Sequence, residues 1–171
     1  MKILVAIAPE RYRDEELDEP LGIFRQHDIC WDIASVQKGP CRGMLGGKSE
    51  ATIGFSDIDP TSYAGLVIVG GGGSMTHLWG NRDLADLAKN FFTAKKIVAA
   101  ICLSPVVLAR AGILKGRRAT VFPSPDAVAE LKKGEAILSQ LPVITDGIVI
   151  TANGPEASRD FGKAIVAALN P

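Results

Sequence analysis

The stretch at residues 97–108, IVAAICLSPVVL, restricts the possible folds of this chain more than any other. Five apolar residues with strand character run up to Cys102, and a second apolar run with helical spacing starts at Pro105, so a buried strand must turn into a helix within a few residues. Cys102 stands in that turn. A helix start offers backbone N–H groups without intrahelical partners and a partial positive charge, and both favour a thiolate over a thiol. Cysteine is equally a common core residue, so the stretch alone admits a reactive Cys102 and an inert one.

Strands and helices alternate along the rest of the chain. Residues 2–8 form an apolar first strand that ends at Pro9. The charge run 10–19 reads as a solvated face, and residues 16–25 as a helix that Pro20 interrupts or kinks. A second strand covers 29–36, and the glycine-rich residues 37–48 make a long turn or short hairpin, with a further strand in SEATIGF. LVIV at 66–69 has the continuous apolar character of a parallel strand buried on both faces, and it runs into four glycines at 70–73. Helices follow at 81–92, 105–111, 126–133 and 157–169, with a short strand at 118–122. Asp146-Gly147, flanked by strands 142–145 and 148–151, signals a late hairpin. The pattern predicts a single domain over 1–171: an α/β, doubly wound and mostly parallel sheet between helices, closed by a C-terminal β-hairpin.

Charge limits the partners. Lysine plus arginine and aspartate plus glutamate number 19 each, so no net field draws the chain to nucleic acid or an anionic membrane. The apolar start is too short for a secretory core or a span, which points to a cytoplasmic protein with no membrane partner. Cys30, Cys41 and Cys102 have no zinc-ligand spacing, and only His27 and His77 stand as imidazoles, so neither a metal nor another cofactor is expected. Cys30, beside Trp31, reads as core, and Cys41, between Pro40 and Arg42, as exposed. His27 reads as a helix-end residue. His77 reads as a surface residue or as one that approaches the cleft.

The run VGGGGS does not carry the lysine and hydroxyl of a phosphate loop, and the first strand ends in Pro-Glu rather than in a dinucleotide fingerprint. Four glycines at a strand end do permit close backbone approach, with N–H groups turned into the crevice above the sheet. If the 66–69 strand lies beside the 97–101 strand, those N–H groups and Cys102 share one crevice.

Together, LVIVGGGG, AAICLSP and GPEASRDFGKAIVAAL resemble the ThiJ/PfpI superfamily, from the first strand to the last helix. The resemblance implies a flavodoxin-like sheet with a nucleophilic Cys102 at a tight elbow and a glutamate directed at its sulfur. Glu16 is the match, with Glu10 and Glu15 as alternative registers. It also implies an oxyanion hole at the backbone N–H groups of Gly71, Gly72 and Leu103, and a homodimer or higher homo-oligomer. Arg159, in the SRDFG segment, is either a surface residue or an element of the cleft or subunit contact. Two positions depart from the family. The protease-like branch has histidine where this chain has Leu103, and the deglycase branch has a downstream histidine where this chain reads TVFP at 120–123.

Three functions follow. The first is cysteine chemistry on a small-molecule electrophile, in the glyoxalase or deglycase sense. The second is a non-catalytic redox or stress-response protein with an oxidisable cysteine. The third is an intracellular peptidase acting on peptides, which Leu103 disfavours because an amide leaves only when its nitrogen is protonated.

Overall fold

The computed structural model describes residues 1–170. The strands are β1 (Lys2–Ala6), β2 (Glu10–Tyr12), β3 (Cys30–Ser35), β4 (Gly39–Gly43), β5 (Lys48–Ala51), β6 (Ile53–Gly54), β7 (Gly65–Ile68), β8 (Ile97–Ile101), β9 (Arg118–Ala119), β10 (Ile137–Leu138), β11 (Val143–Asp146) and β12 (Val149–Ala152). The helices are α1 (Asp14–Gln26), α2 (Gly73–His77), α3 (Arg82–Thr93), α4 (Pro105–Arg110), α5 (Pro125–Lys133) and α6 (Ser158–Leu169). Seven strands form the central sheet in the order β11-β12-β8-β7-β1-β3-β6. All pairs are parallel except β11 with β12, the hairpin turned at Asp146-Gly147, where Gly147 takes φ 63°. No helix among the described residues is long and apolar enough to cross a membrane.

Alternation along the strands divides the core in two. Leu4, Ala6, Leu66, Ile68, Val98 and Ala100 face the layer containing α3, α4 and α5. Their neighbours Ile3, Val5, Val67, Val69, Ala99 and Ile101 face the other, where α1 and α6 supply Leu17, Phe24, Phe161 and Ile165. Both faces are covered, which is why these strands carry no polar residue beyond Lys2, exposed at the start of β1. α1 and α6 approach closely at Gly162, where a β-carbon would lie 3.0 Å from Pro20 Cα. Pro20 does not interrupt α1, which runs on to Gln26.

Several local expectations are corrected. Residues 10–12 are not a solvated run but β2, which pairs with β4 in a separate three-stranded sheet completed by β5. Within that charged segment Tyr12, Asp14 and Glu16 are buried. Cys41 is buried as well, because β4 is the middle strand and its side chain joins the α1-side core. Cys30 is exposed: β6 pairs with β3 only at Ala34 and Ser35, so the first half of β3 has no neighbour on that side. The expected strand 118–122 shrinks to β9, which pairs with β10 outside the central sheet. Beyond it, Thr120 N–H turns to Thr151 Oγ1 at 3.0 Å and Phe122 N–H to the Cys102 carbonyl at 2.8 Å, so a ladder cannot continue. The end of the glycine run is also more ordered than a loop, since α2 begins at Gly73.

Candidate functional site

β7 and β8 lie side by side in parallel, with Ile68 opposite Ala100, so the glycines after β7 and Cys102 after β8 emerge at the same sheet edge. Cys102 sits at φ 63°, a left-handed conformation that costs a non-glycine residue roughly 1 kcal/mol or more. The turn is held on both sides. Cys102 N–H donates to Ala152 O at 2.8 Å, and its carbonyl accepts from Phe122 N–H. Below it, Ser104 Oγ donates to Val69 O at 2.7 Å and lies 3.0 Å from Ser74 Oγ, so two buried hydroxyls fasten the glycine segment to the turn. Trp79 Nε1 donates to Leu103 O at 2.8 Å. Phe122, Pro123, Asn153, Gly154, Pro155 and Glu156, from the segments that tie down Cys102, line a cleft of about 310 Å³.

α1 brings the carboxyl group. Arg13 N–H donates to Gly70 O at 3.0 Å, which fixes the start of the helix against the glycine segment. One turn in, Glu16 is fully buried, and its Oε2 accepts from Gly70 N–H at 2.9 Å. Oε1 receives no hydrogen bond within the described residues, and the carboxyl interacts with the Cys102 sulfur. Glu15 instead binds the Arg13 guanidinium at 2.8 Å, and Glu10 is exposed, so of the three registers only Glu16 meets the sulfur.

Burial pushes Glu16 up to about 7, against the opposing effects of the Cys102 thiol, Gly70 N–H and Arg13. Burial and then the charge of Glu16 push the Cys102 thiol up, while the N–H groups of Gly71 and Leu103 favour its anion. These two charges cannot coexist cheaply in one dry pocket, so the pair keeps one proton between them through neutral pH. A stability signature follows. Between 4.5 and about 7 the folded Glu16 still holds a proton that the unfolded chain has released, so folding stability falls as pH rises through that window. The contribution of this one group cannot exceed about 1.4 kcal/mol per pH unit. Urea titrations across the window should show the decline in the native protein and its loss in Glu16→Gln; identical slopes would contradict the raised carboxyl.

The remaining expected residues are dispersed. Gly71 and Leu103 direct N–H groups at the sulfur, but Gly72 N–H donates to Met44 Sδ at 3.4 Å. His77 ends α2, half-buried, and is not among the groups that act on the sulfur. His27 is the exposed C-cap of α1. Arg159 is exposed near the start of α6, 3.8 Å from Glu19 on α1.

Four contributors had not been singled out. Gly70 holds Glu16, Arg13 anchors α1, and the pair Ser74 and Ser104 locks the turn. Asp14 is the fourth kind of support: its carboxylate accepts from Leu45 N–H at 2.8 Å and Gly47 N–H at 2.7 Å, holding the loop that presents Met44. Only Gly70 carried a signal, as first of the four glycines. The others lie in stretches whose composition reads as surface.

The comparisons agree with this fold. The model of the DJ-1/PfpI family matches residues 1–168. An uncharacterized protein of Methanocaldococcus jannaschii is 49% identical over 168 residues, covering 98% of this chain and 82% of the relative. The Deglycase PfpI of Pyrococcus furiosus is 34% identical over 122 residues, covering 71% of this chain and 72% of its own length. The crystal structure of a ThiJ/PfpI domain protein from Brachyspira murdochii superposes with a TM-score of 0.95 at 33% identity, over 99% of this chain and 96% of that one. With the glycine segment, the positive-φ cysteine and the buried glutamate all inside the matched span, the chain belongs to the DJ-1/PfpI family.

Proposed function

We propose that Cys102 attacks small carbonyl electrophiles and that Glu16 carries the protons, converting 2-oxoaldehydes to 2-hydroxy acids or releasing their thiol and amine adducts. The observation that carries this reading is the buried Glu16 carboxyl, which interacts with the Cys102 sulfur and whose Oε1 has no hydrogen-bond partner among the described residues. Of the two ways to place the shared proton, a protonated Glu16 with a thiolate is the better satisfied. Two backbone N–H groups favour the sulfur anion and one serves the carboxyl. The thiolate adds to the aldehyde carbon, and the carbonyl electron pair moves to oxygen, which takes a proton. A base then removes the proton from that carbon and one is returned to the neighbouring carbonyl carbon, while the hydroxyl proton passes from the first oxygen to the second, leaving a thioester of the 2-hydroxy acid. Water cleaves the thioester and returns the thiol. Glu16 is the acid and base within reach for the proton transfers.

Peptide hydrolysis is disfavoured. Leu103 and Phe122 are apolar, and no imidazole acts on the sulfur to protonate a leaving amine. A redox role is the second reading, because the same N–H groups would also hold a sulfinate formed at Cys102. One experiment separates the two. Reduced protein incubated with methylglyoxal should release lactate over many turnovers, with Cys102 returned as a free thiol in the peptide mass spectrum. Absence of lactate, with Cys102 accumulating as sulfinate under mild peroxide, would favour the redox reading.

A further inference from the structure

The Arg11 guanidinium lies over the glycine segment: a β-carbon at Gly72 would fall 2.7 Å from its Nη2 and 2.9 Å from its Cζ. Arg11 is exposed, takes φ 57°, and has no ion-pair partner among the described residues. Arg13, two residues on, differs, since Glu15 neutralises it through two hydrogen bonds at 2.8 and 3.1 Å. Gly72 N–H, beneath Arg11, is spent on the Met44 thioether at 3.4 Å, and a thioether is a weak acceptor. An anionic oxygen arriving there would exchange that contact for a charge-assisted one and would meet an unneutralised guanidinium as well. The next residue back, Gly71, is the one whose N–H faces the Cys102 sulfur.

We infer that Arg11 and the Gly72 N–H form an anion subsite beside Cys102, so that among small carbonyl electrophiles this chain favours those with a carboxylate next to or near the reactive carbonyl. The inference rests on Cys102 as the nucleophile and adds the class of compound that it selects. Arg11 is then a specificity residue: it orients the charged end of the substrate while the sulfur meets the carbonyl carbon. Arg13 lies close enough to add to the field, but Glu15 already offsets its charge.

Iodoacetate and iodoacetamide differ in charge and little in size, and each forms one S–C bond with the thiolate as iodide departs with the bonding pair. Their rates at Cys102 are measured by peptide mass spectrometry, with exposed Cys30 as the reference in the same molecule. Relative to Cys30, Cys102 should prefer iodoacetate, and the preference should fall about fivefold in Arg11→Gln and be largely restored in Arg11→Lys. In the unmodified protein, which needs no variant, the preference should shrink as salt is raised. A preference that ignores both salt and Arg11→Gln, while iodoacetamide still modifies Cys102, overturns the anion subsite alone. Failure of Cys102 to react with either reagent overturns the nucleophile reading, and this inference falls with it.

Discussion

Cys102→Ala is expected to reduce 2-oxoaldehyde turnover to the level of buffer, because the step that forms the S–C bond has no substitute in the site. Glu16→Gln should lose about 10²- to 10⁴-fold, the range attached to a positioned general acid or base. The amide can still donate to the sulfur, so Cys102 should remain alkylatable in that variant while turnover fails. That split assigns proton transfer to the carboxyl group rather than packing. Cys30→Ala should keep full activity, since its thiol is exposed on the first half of β3. Full turnover in Glu16→Gln would require another base.

The second large effect is expected at Gly70. A β-carbon there would fall 2.5 Å from Glu16 Oε2 and 2.6 Å from both Cys102 Cβ and Ile101 O. None of these neighbours can yield alone: the carboxyl is buried, the cysteine is locked at positive φ, and the carbonyl belongs to the end of β8. Gly70→Ala should therefore cost roughly 1–3 kcal/mol in stability, as overpacking does. It should also cost about 100-fold in turnover, because displacing reacting groups by an ångström is enough for that. Gly80→Ala is the control, having nothing within 4 Å of its β-carbon position. Urea unfolding and steady-state kinetics read both. A Gly70→Ala protein with native stability and native turnover would mean that the glycine does not hold the pair together.

The central sheet was legible because its strands are buried on both faces. Apolar runs at 66–69 and 97–101 leave few alternatives to parallel strands, and Asp146-Gly147 fixed the one antiparallel edge. The small sheet was not legible. Glu10, Arg11 and Arg42 read as solvated charge, and β2 and β4 pair through backbone groups that composition does not report. The opposite fates of Cys30 and Cys41 follow from the same blindness: each depends on which strand lies beside it, not on its neighbours in sequence. At the site, Cys102 stood out because a strand and a helix meet there. Glu16 did not, since a carboxylate among six acidic residues at 10–19 and two basic ones has no mark of burial, and only the family resemblance selected it. Arg11, whose consequence is electrostatic and whose backbone is left-handed, had no signal at all.

The central claim is that Cys102 and Glu16 share one proton at neutral pH, with the sulfur as the anion. The direct test is the rate of iodoacetamide modification at each cysteine as a function of pH, followed by peptide mass spectrometry on the unmodified protein. Buried Cys41, raised by desolvation, should titrate above the free-thiol value of about 8.5. Cys102 should titrate well below that value, because the Gly71 and Leu103 N–H groups favour its anion and Glu16 keeps the shared proton. A Cys102 midpoint at or above the free-thiol value would contradict the account, leaving the proton on sulfur and Glu16 as a buried carboxylate.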